Sequence, residues 1–158
     1  MKRPFWTIVI NIVIGLSFIV YLLALYYFTI GKVPYLPGLM PNRHLANIVP
    51  LKTISEYISF IIKGNLQWRI AVINLVGNII LTVPLAIYLA YFIRPFRKLW
   101  KILAVSMAVI LLIEIYQFFS GRGSFDIDDI ILNLLGAAAG YGIWKTRPVQ
   151  WIAGKLTL

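Results

Sequence analysis

The sequence contains no cysteine, a single histidine and five acidic residues among its 158 positions. The absence of cysteine excludes disulfides, thiol catalysis and thiolate metal sites. The sequence has no HExxH motif, no Ser/His/Asp arrangement and no phosphate-binding glycine loop, so it identifies no reaction and no cofactor is expected. The one histidine, His44, falls in a predicted loop, where we expect it to be exposed.

Charged residues are also scarce, at 13% of the chain, whereas 61% of the residues are hydrophobic. That balance lies well outside the range of soluble domains. Two uncharged runs, 5–31 and 70–93, exceed the roughly 20 residues that a helix needs to cross a bilayer, and two shorter runs reach that length with their polar ends included. The sequence therefore predicts an all-α membrane protein with four transmembrane helices, at about 5–28, 70–93, 101–119 and 127–144.

These spans predict one membrane domain over residues 1–145 and a cytoplasmic tail at 146–158. The first apolar run is too long for a typical signal peptide and is not closed by a small-residue cleavage site, so we expect a retained signal-anchor helix. The formal charge of +10 collects at the ends of the spans, and this placement argues against nucleic-acid binding.

The basic residues also predict the orientation of the chain in the cell membrane. With four spans, nine of the fifteen basic residues fall on one side and six on the other. The positive-inside rule then places both termini in the cytoplasm. The nine are Lys2, Arg3, Arg94, Arg97, Lys98, Lys101, Lys145, Arg147 and Lys155.

The first external connection, roughly 29–69, is the long one. Prolines near its start exclude a regular helix there. After Pro50, the segment LKTISEYISFIIK follows a helical hydrophobic period but is, at about 13 residues, too short to span the bilayer. We predict a short amphipathic helix in the outer membrane interface, with a re-entrant segment as the alternative. Its apolar face would consist of Leu51, Ile54, Ile58 and Ile61.

Four of the five acidic residues lie in one short stretch of the chain, at Glu114, Asp126, Asp128 and Asp129. A carboxylate within or beside a span usually faces the bundle interior or a water-filled cavity. Asp126, Asp129 and Asn133 are spaced i, i+3, i+7 and share one helical face. Asp128 points elsewhere, and we expect it to be solvated. The shared face is predicted to be one wall of a functional site.

Polar residues of two other spans lie at a matching depth. With a rise of 1.5 Å per residue, Asn74 and Asn78 of the second span and Gln117 of the third fall in the outer half of the membrane, level with Glu114 and Asn133. We therefore predict an outward-facing polar pocket between three helices. The alternative is that these groups only satisfy one another, because interhelical hydrogen bonds in membranes contribute about 0.6 to 2 kcal/mol each.

Arginines of the predicted outer loops are the candidate counter-charges for this pocket. Arg122 lies at the tip of the short connection before the fourth span, and Arg43 and Arg69 could reach the carboxylates from their own loops. Carboxylates with amide oxygens suit Mg²⁺ or Ca²⁺. However, DIDD at 126–129 places two of its three aspartates on the shared face, so we predict no metal site.

The fourth span also contains the sequence GAAAGYG. Gly136 and Gly140 form a GxxxG pair, which allows a neighbouring helix to approach closely. We interpret this pair as a packing device rather than a ligand site.

Taken together, these motifs resemble the VanZ-like membrane protein family, named after a protein associated with resistance to the glycopeptide antibiotic teicoplanin. The resemblance rests on RHLANIVP at 43–50, NLVGNIILTVPL at 74–85, ExxQ at 114–117 and DIDD at 126–129, in the family's order. It covers most of the chain but not the tail after Lys145. The family's polar motif positions correspond to Arg43, Asn74, Asn78, Glu114, Gln117, Arg122, Asp126, Asp129 and Asn133.

The resemblance implies a protein of the bacterial cell envelope with a role in glycopeptide resistance. In the first hypothesis the protein is not an enzyme, and its pocket engages a membrane lipid head group, a lipid-linked cell-wall precursor or a glycopeptide. In the alternative it is an intramembrane enzyme acting on a lipid-linked substrate, with Glu114 or Asp126 as general acid/base. A transporter is less favoured, because the inner half of the bundle offers only Asn11 and Ser17 as candidates for a polar path across the membrane.

Overall fold

The computed structural model describes residues 4–31, 46–121 and 123–156. Within these ranges the chain is helical apart from short connections and one isolated backbone bridge. A π-helical turn, Tyr27–Gly31, extends the first helix, and a 3-10 turn, Arg94–Phe96, joins the third to the fourth. The α-helices are α1 Phe5–Tyr26, α2 Lys52–Ile62, α3 Trp68–Phe92, α4 Leu99–Ser120, α5 Ile127–Trp144 and α6 Arg147–Leu156.

Helices occupy all four ranges that were predicted to span the membrane. Three of them, α1 with its π-helical turn, α3 and α4, are long and apolar enough to cross a bilayer. The fourth, α5, has 18 residues and carries two aspartates in its first turn. The predicted helix after Pro50 is also present as α2.

The α5 helix packs against α3 through its two spaced glycines. A Cβ atom added to Gly136 would fall on the carbonyl oxygen of Ile79, and one added to Gly140 would fall on the carbonyl oxygen of Val83. Both glycines are buried. The predicted packing role of the GxxxG pair is therefore confirmed, since only hydrogen atoms fit between the two backbones at these positions.

Contacts at both ends of α5 fix its direction. At its beginning, the backbone N–H of Asp126 donates to Glu114, near the end of α4 (3.0 Å). At its other end, the Tyr141 hydroxyl donates to the carbonyl of Arg97 (3.3 Å), and the Arg97 guanidinium lies over the Trp144 ring. Hence α5 runs antiparallel to α4 and returns to the end of the bundle at which α3 joins α4.

The α1 helix is held to the bundle by polar groups on an otherwise apolar surface. The Tyr21 hydroxyl donates to the carbonyl of Leu81 on α3 (2.9 Å), and the Tyr91 hydroxyl donates to Asn11 Oδ1 (2.6 Å). Asn11 in turn donates through Nδ2 to the carbonyl of Leu156 on α6 (3.1 Å). The two inner polar residues noted in the sequence thus serve as ties between helices, because Ser17 likewise pairs with the Tyr88 hydroxyl on α3.

The segment after Lys145 contains a helix, α6, which was not predicted. Pro148 is compatible with its first turn, where a backbone N–H has no intrahelical acceptor. Ala153 and Leu156 are buried against the bundle, whereas Trp151 is 64% exposed. The segment is therefore an amphipathic helix that closes the end of the bundle opposite the acidic stretch.

The glycine contact between α5 and α3 predicts a position-specific effect of added methyl groups. Gly136→Ala and Gly140→Ala should each destabilise the purified protein in detergent by about 1 to 3 kcal/mol, because the new methyl group must displace backbone. Gly142→Ala is the matched control, since no atom lies within 4 Å of its added Cβ. Unfolding midpoints of the three variants measure the effect, and equal midpoints would contradict the packing role.

Candidate functional site

A cavity of about 550 Å³ lies between α3, α4, α5 and the π-helical turn that extends α1. Apolar side chains such as Val72, Ile110 and Ile113 make up much of its wall. Six of the nine residues predicted for the site line this one cavity. They are Asn74, Asn78, Glu114, Gln117, Asp129 and Asn133.

The α3 and α5 walls are joined by a pair of polar side chains. Asn78 Nδ2 on α3 donates to Asp129 Oδ1 on α5 at 2.5 Å. One turn further along α5, Asn133 Nδ2 donates to the backbone carbonyl of Asp129 (2.7 Å). Asn133 is 3% exposed, and its Oδ1 is buried without a hydrogen-bond partner among the described residues. Asp129 Oδ1 is therefore a satisfied acceptor, whereas Asn133 Oδ1 is a buried acceptor without a partner among the described residues.

The α4 wall contributes Glu114 and Gln117. Glu114 is 4% exposed, and its Oε2 accepts the backbone N–H of Asp126. Gln117 Nε2 donates to the carbonyl of Thr29 in the π-helical turn (2.6 Å). Asn74 donates within α3, to the carbonyl of Ile70 (3.0 Å). Gln117 thus joins α4 to the end of α1, whereas Glu114 joins the cavity to the start of α5.

Asp126 lies next to the cavity but does not line it. It is the N-cap of α5, and its Oδ1 accepts the backbone N–H of Asp128 (2.9 Å), which is the arrangement expected of an N-cap aspartate. The same carboxylate accepts the Asn47 side-chain amide (3.0 Å) and the Thr53 hydroxyl (2.6 Å). Both of its oxygens are therefore occupied by groups of the protein.

The expectation that Asp128 is solvated is wrong, because its residue is fully buried. Its Oδ1 accepts the backbone N–H of Leu51 (2.6 Å) and its Oδ2 accepts that of Ile54 (3.1 Å). These are the N-cap and third residues of α2, a helix whose first turn has no acidic residue and no side-chain cap of its own. Asp128 thus caps α2 from a different helix, and its negative charge also suits the α2 N-terminus.

The sequence analysis missed Asn47 and Thr53 as members of this region. Asn47 pairs its backbone with residues on both sides of Asp126, through Asn47 N to Phe125 O (2.8 Å) and Ile127 N to Asn47 O (3.0 Å). No sequence signal indicated these two residues. The start of α2, where the Leu51 side chain cannot accept the unpaired N–H groups, indicated instead the acceptor that Asp128 supplies. A helix start without its own cap indicates that acceptors come from elsewhere in the chain.

Tyr57 lies on the side of α2 that faces the protein and is half-buried. Burial raises the pKa of its hydroxyl, and the nearby Asp129, Asp126 and Glu56 carboxylates raise it further. A phenol with a pKa above its usual value of about 10 is neutral at physiological pH. Tyr57 is therefore a hydroxyl donor or acceptor beside the site and not a phenolate.

Of the three predicted counter-charges, the structure describes only Arg69, and it does not line the cavity. Arg43 and Arg122, like His44, lie outside the residues that the structure describes. Arg69 stands at the start of α3 with its guanidinium over the neighbouring Trp68 ring, 5.5 Å from its centre. No lysine, arginine or histidine occurs among the described residues that line the cavity, and no group of three or more described acidic or histidine residues is placed to hold a metal ion.

The capping of α2 by Asp128 predicts a local loosening when this carboxylate is removed. Asp128→Ala leaves two backbone N–H groups of α2 without acceptors, at a cost of about 1 to 3 kcal/mol each. We expect faster tryptic cleavage at Lys52 and Lys63, which flank this helix, in the detergent-solubilised protein. Glu56→Gln, an exposed change on α2 itself, is the control, and equal cleavage rates would contradict the capping role.

Comparison with known proteins assigns the chain to a family. Residues 18–150 match the VanZ/LLP1 family, and this range contains the cavity, the acidic stretch and the glycine pair. No curated protein and no solved structure matches the chain. The match covers well over half of the sequence and confirms the resemblance seen in its motifs. It ends at residue 150, so the expectation that the family likeness stops before the tail was wrong for residues 146–150. The chain belongs to the VanZ/LLP1 family.

Proposed function

We propose that this protein is a four-span membrane protein of the bacterial cell envelope whose outward-facing cavity engages the head group of a membrane lipid or lipid-linked cell-wall precursor. The observation that carries the proposal is the cavity itself, in which Glu114 and Asp129 lie between largely apolar walls. Carboxylates in such a setting are costly and are usually retained for a function. The volume, about 550 Å³, lies within the range of small-molecule sites.

The fourth span in this proposal is α5. Its 18 residues correspond to about 27 Å of helix, close to the hydrocarbon thickness of a bilayer. It begins beside the outer end of α4 and ends beside Arg97. Exposed Trp100 and Trp151 lie near this second end, as expected of aromatic residues at a membrane interface. Arg94, Lys98, Lys101 and Lys145 are close to it in sequence, which favours the cytoplasm for that end.

The α2 helix suits the outer interface. The side that contacts the protein carries Thr53 and Tyr57, whereas Ile58 and Ile62 remain exposed at 45% and 77%. The following Leu66 is 98% exposed. An exposed apolar face on a helix docked by its N-terminus at Asp128 supports an interfacial position better than a re-entrant one.

The proposed topology can be measured directly, because a chain without cysteine accepts single-cysteine labelling. In intact cells an impermeant maleimide should label Lys63→Cys and Ser124→Cys. Lys98→Cys and Lys155→Cys should react only after permeabilisation. Labelling of Lys155→Cys from outside, with Lys98→Cys still protected, would mean that α5 does not cross and would overturn the four-span arrangement.

Occupation of the cavity by a lipid or wall precursor is the proposed route to glycopeptide resistance of the teicoplanin type. A glycopeptide binds its target at the outer membrane face, so a protein that holds that target or a neighbouring lipid there alters access to it. The family membership supports this role. In this proposal the binding site is the cavity lined by Glu114 and Asp129.

A second candidate is an intramembrane enzyme that uses Glu114 as general acid/base. One observation favours it, namely that Glu114 lines the cavity while it receives, from the described residues, a single hydrogen bond to its Oε2. Asp126 is a weaker candidate for this role, because both of its oxygens are bonded within the protein. An enzyme of this kind would change the profile of cellular lipids or wall precursors when deleted or overexpressed, and unchanged profiles would argue against it.

Neutral variants of the two cavity carboxylates test the proposal. Glu114→Gln and Asp129→Asn should each abolish any increase in teicoplanin resistance that the wild-type protein gives on expression, because they remove the charge at nearly constant volume. Membrane levels of all variants must be matched by immunoblot. Glu56→Gln, an exposed change outside the cavity, should leave resistance unchanged. If both cavity variants give the same resistance as the wild-type protein, the two carboxylates are not required for resistance.

A further inference from the structure

The cavity presents many hydrogen-bond acceptors. Each of its four amide side chains donates an N–H to a group of the protein. By contrast, none of the four amide oxygens accepts a hydrogen bond from the described residues, and Glu114 and Asp129 each receive a single one. A ligand that fits this lining therefore brings donors rather than acceptors.

Asn133 gives this surplus a definite location. Asn133 lines the cavity and is 3% exposed. Its Oδ1 is buried and has no hydrogen-bond partner among the described residues. A buried acceptor without a partner is unfavourable in the free protein. It becomes favourable when a bound donor fills the cavity, so the position of Asn133 is explained better by a ligand than by the fold alone.

Charge narrows the class of ligand further. Glu114 and Asp129 line the cavity, and none of the other described lining residues is cationic. A phosphate or carboxylate placed here would meet like charge and few donors. A primary ammonium group carries a positive charge and three N–H donors, which match the carboxylates and Asn133 Oδ1.

The wall of the cavity is open toward the membrane along α3. Ile73, Val76 and Ile80 line it while remaining 65%, 46% and 60% exposed. Between them, Gly77 has no atom within 4 Å of the position that a Cβ would take. An acyl chain can therefore lie along this apolar side while the attached head group reaches the polar interior.

We infer that the cavity binds a membrane lipid through a primary ammonium head group, whose N–H donors meet Glu114, Asp129 and Asn133. The inference rests on the proposed function, in which the cavity engages a lipid head group, and it names the chemistry of that group. Phosphatidylethanolamine is the simplest probe of this class. Stepwise N-methylation to phosphatidylcholine removes its three donors one at a time while charge, phosphate and acyl chains stay constant.

The experiment presents the full chain, purified in detergent, with an equimolar mixture of the four lipids of this methylation series and phosphatidylglycerol. Mass spectrometry then quantifies the lipid retained by the protein. We expect retention to fall at each methylation, with a total difference of about tenfold between the end members, which corresponds to about 1.4 kcal/mol. Phosphatidylglycerol, which is anionic, should be retained less than phosphatidylethanolamine.

Two pairs of variants separate the cavity from the rest of the surface. Gly77→Phe should fill the opening and abolish the preference, whereas Gly142→Phe, placed where an added Cβ likewise meets no atom, should keep it. Asn133→Leu should lose most of the preference without lowering the unfolding midpoint. Asn11→Leu, which removes an amide with three hydrogen bonds, should lower the midpoint and keep the preference.

The outcomes distinguish this inference from the proposal on which it rests. Equal retention across the methylation series, as expected if a side chain of the protein already occupies the ammonium position, overturns the inference. So does a preference for phosphatidylglycerol. If, in either case, Gly77→Phe lowers the amount of lipid that the protein retains, the proposal that the cavity binds lipid still stands. If Gly77→Phe changes the retention of no lipid, the cavity does not bind lipid and both ideas fail.

Discussion

The end of the bundle at which α4 ends and α5 begins depends on the turn that precedes α5. The backbone N–H of Asp126 donates to Glu114 on α4, while the Asp126 side chain caps α5 and binds Asn47 and Thr53. One short turn thereby connects α4, α5 and the segment that leads into α2. Because Glu114, Asn47 and Thr53 all bind this turn, the side chains that follow it have defined directions. Asp128 points to the α2 N-terminus and Asp129 points to the cavity.

This arrangement divides the acidic residues into two groups with different energetics. Asp126 and Asp128 receive five hydrogen bonds between them, three on Asp126 and two on Asp128. Hydrogen bonds to charged groups contribute about 1.5 to 3 kcal/mol each. The five bonds therefore offset the free-energy cost of burying these two carboxylates. From the described residues, Glu114 and Asp129 receive one hydrogen bond each. Their burial is not offset in the same way, which is why they, rather than their neighbours, mark the site.

The sequence was sufficient to predict five of the six α-helices of the described residues and six of the residues that line the cavity. Long uncharged runs decide where helices form in a membrane protein, and the polar residues share a depth because a helix rises by a constant amount per residue. Asp128 was misjudged because facing was derived from α5 alone, and the direction of Asp128 is set by the uncapped start of α2. The α6 helix was missed because its ten residues are short of a span. Contacts with α1 and with the end of α5 stabilise this helix.

The capping region and the cavity are separate in chemistry but continuous in structure. The Asp126 side chain binds Asn47 before α2 and Thr53 in the first turn of α2, and its backbone N–H donates to Glu114. Glu114 is the one cavity residue held directly by that turn, whereas Asp129 is held by Asn78 on α3. Meanwhile the glycine contact keeps α5 against α3 at Gly136 and Gly140, further along the helix. The α3 and α5 walls are therefore rigidly joined, and the position of the α4 carboxylate relative to them is set by the turn at Asp126. The α2 segment and Glu114 are both bonded to Asp126, so the docking of α2 and the position of Glu114 relative to Asp129 are linked through that one turn.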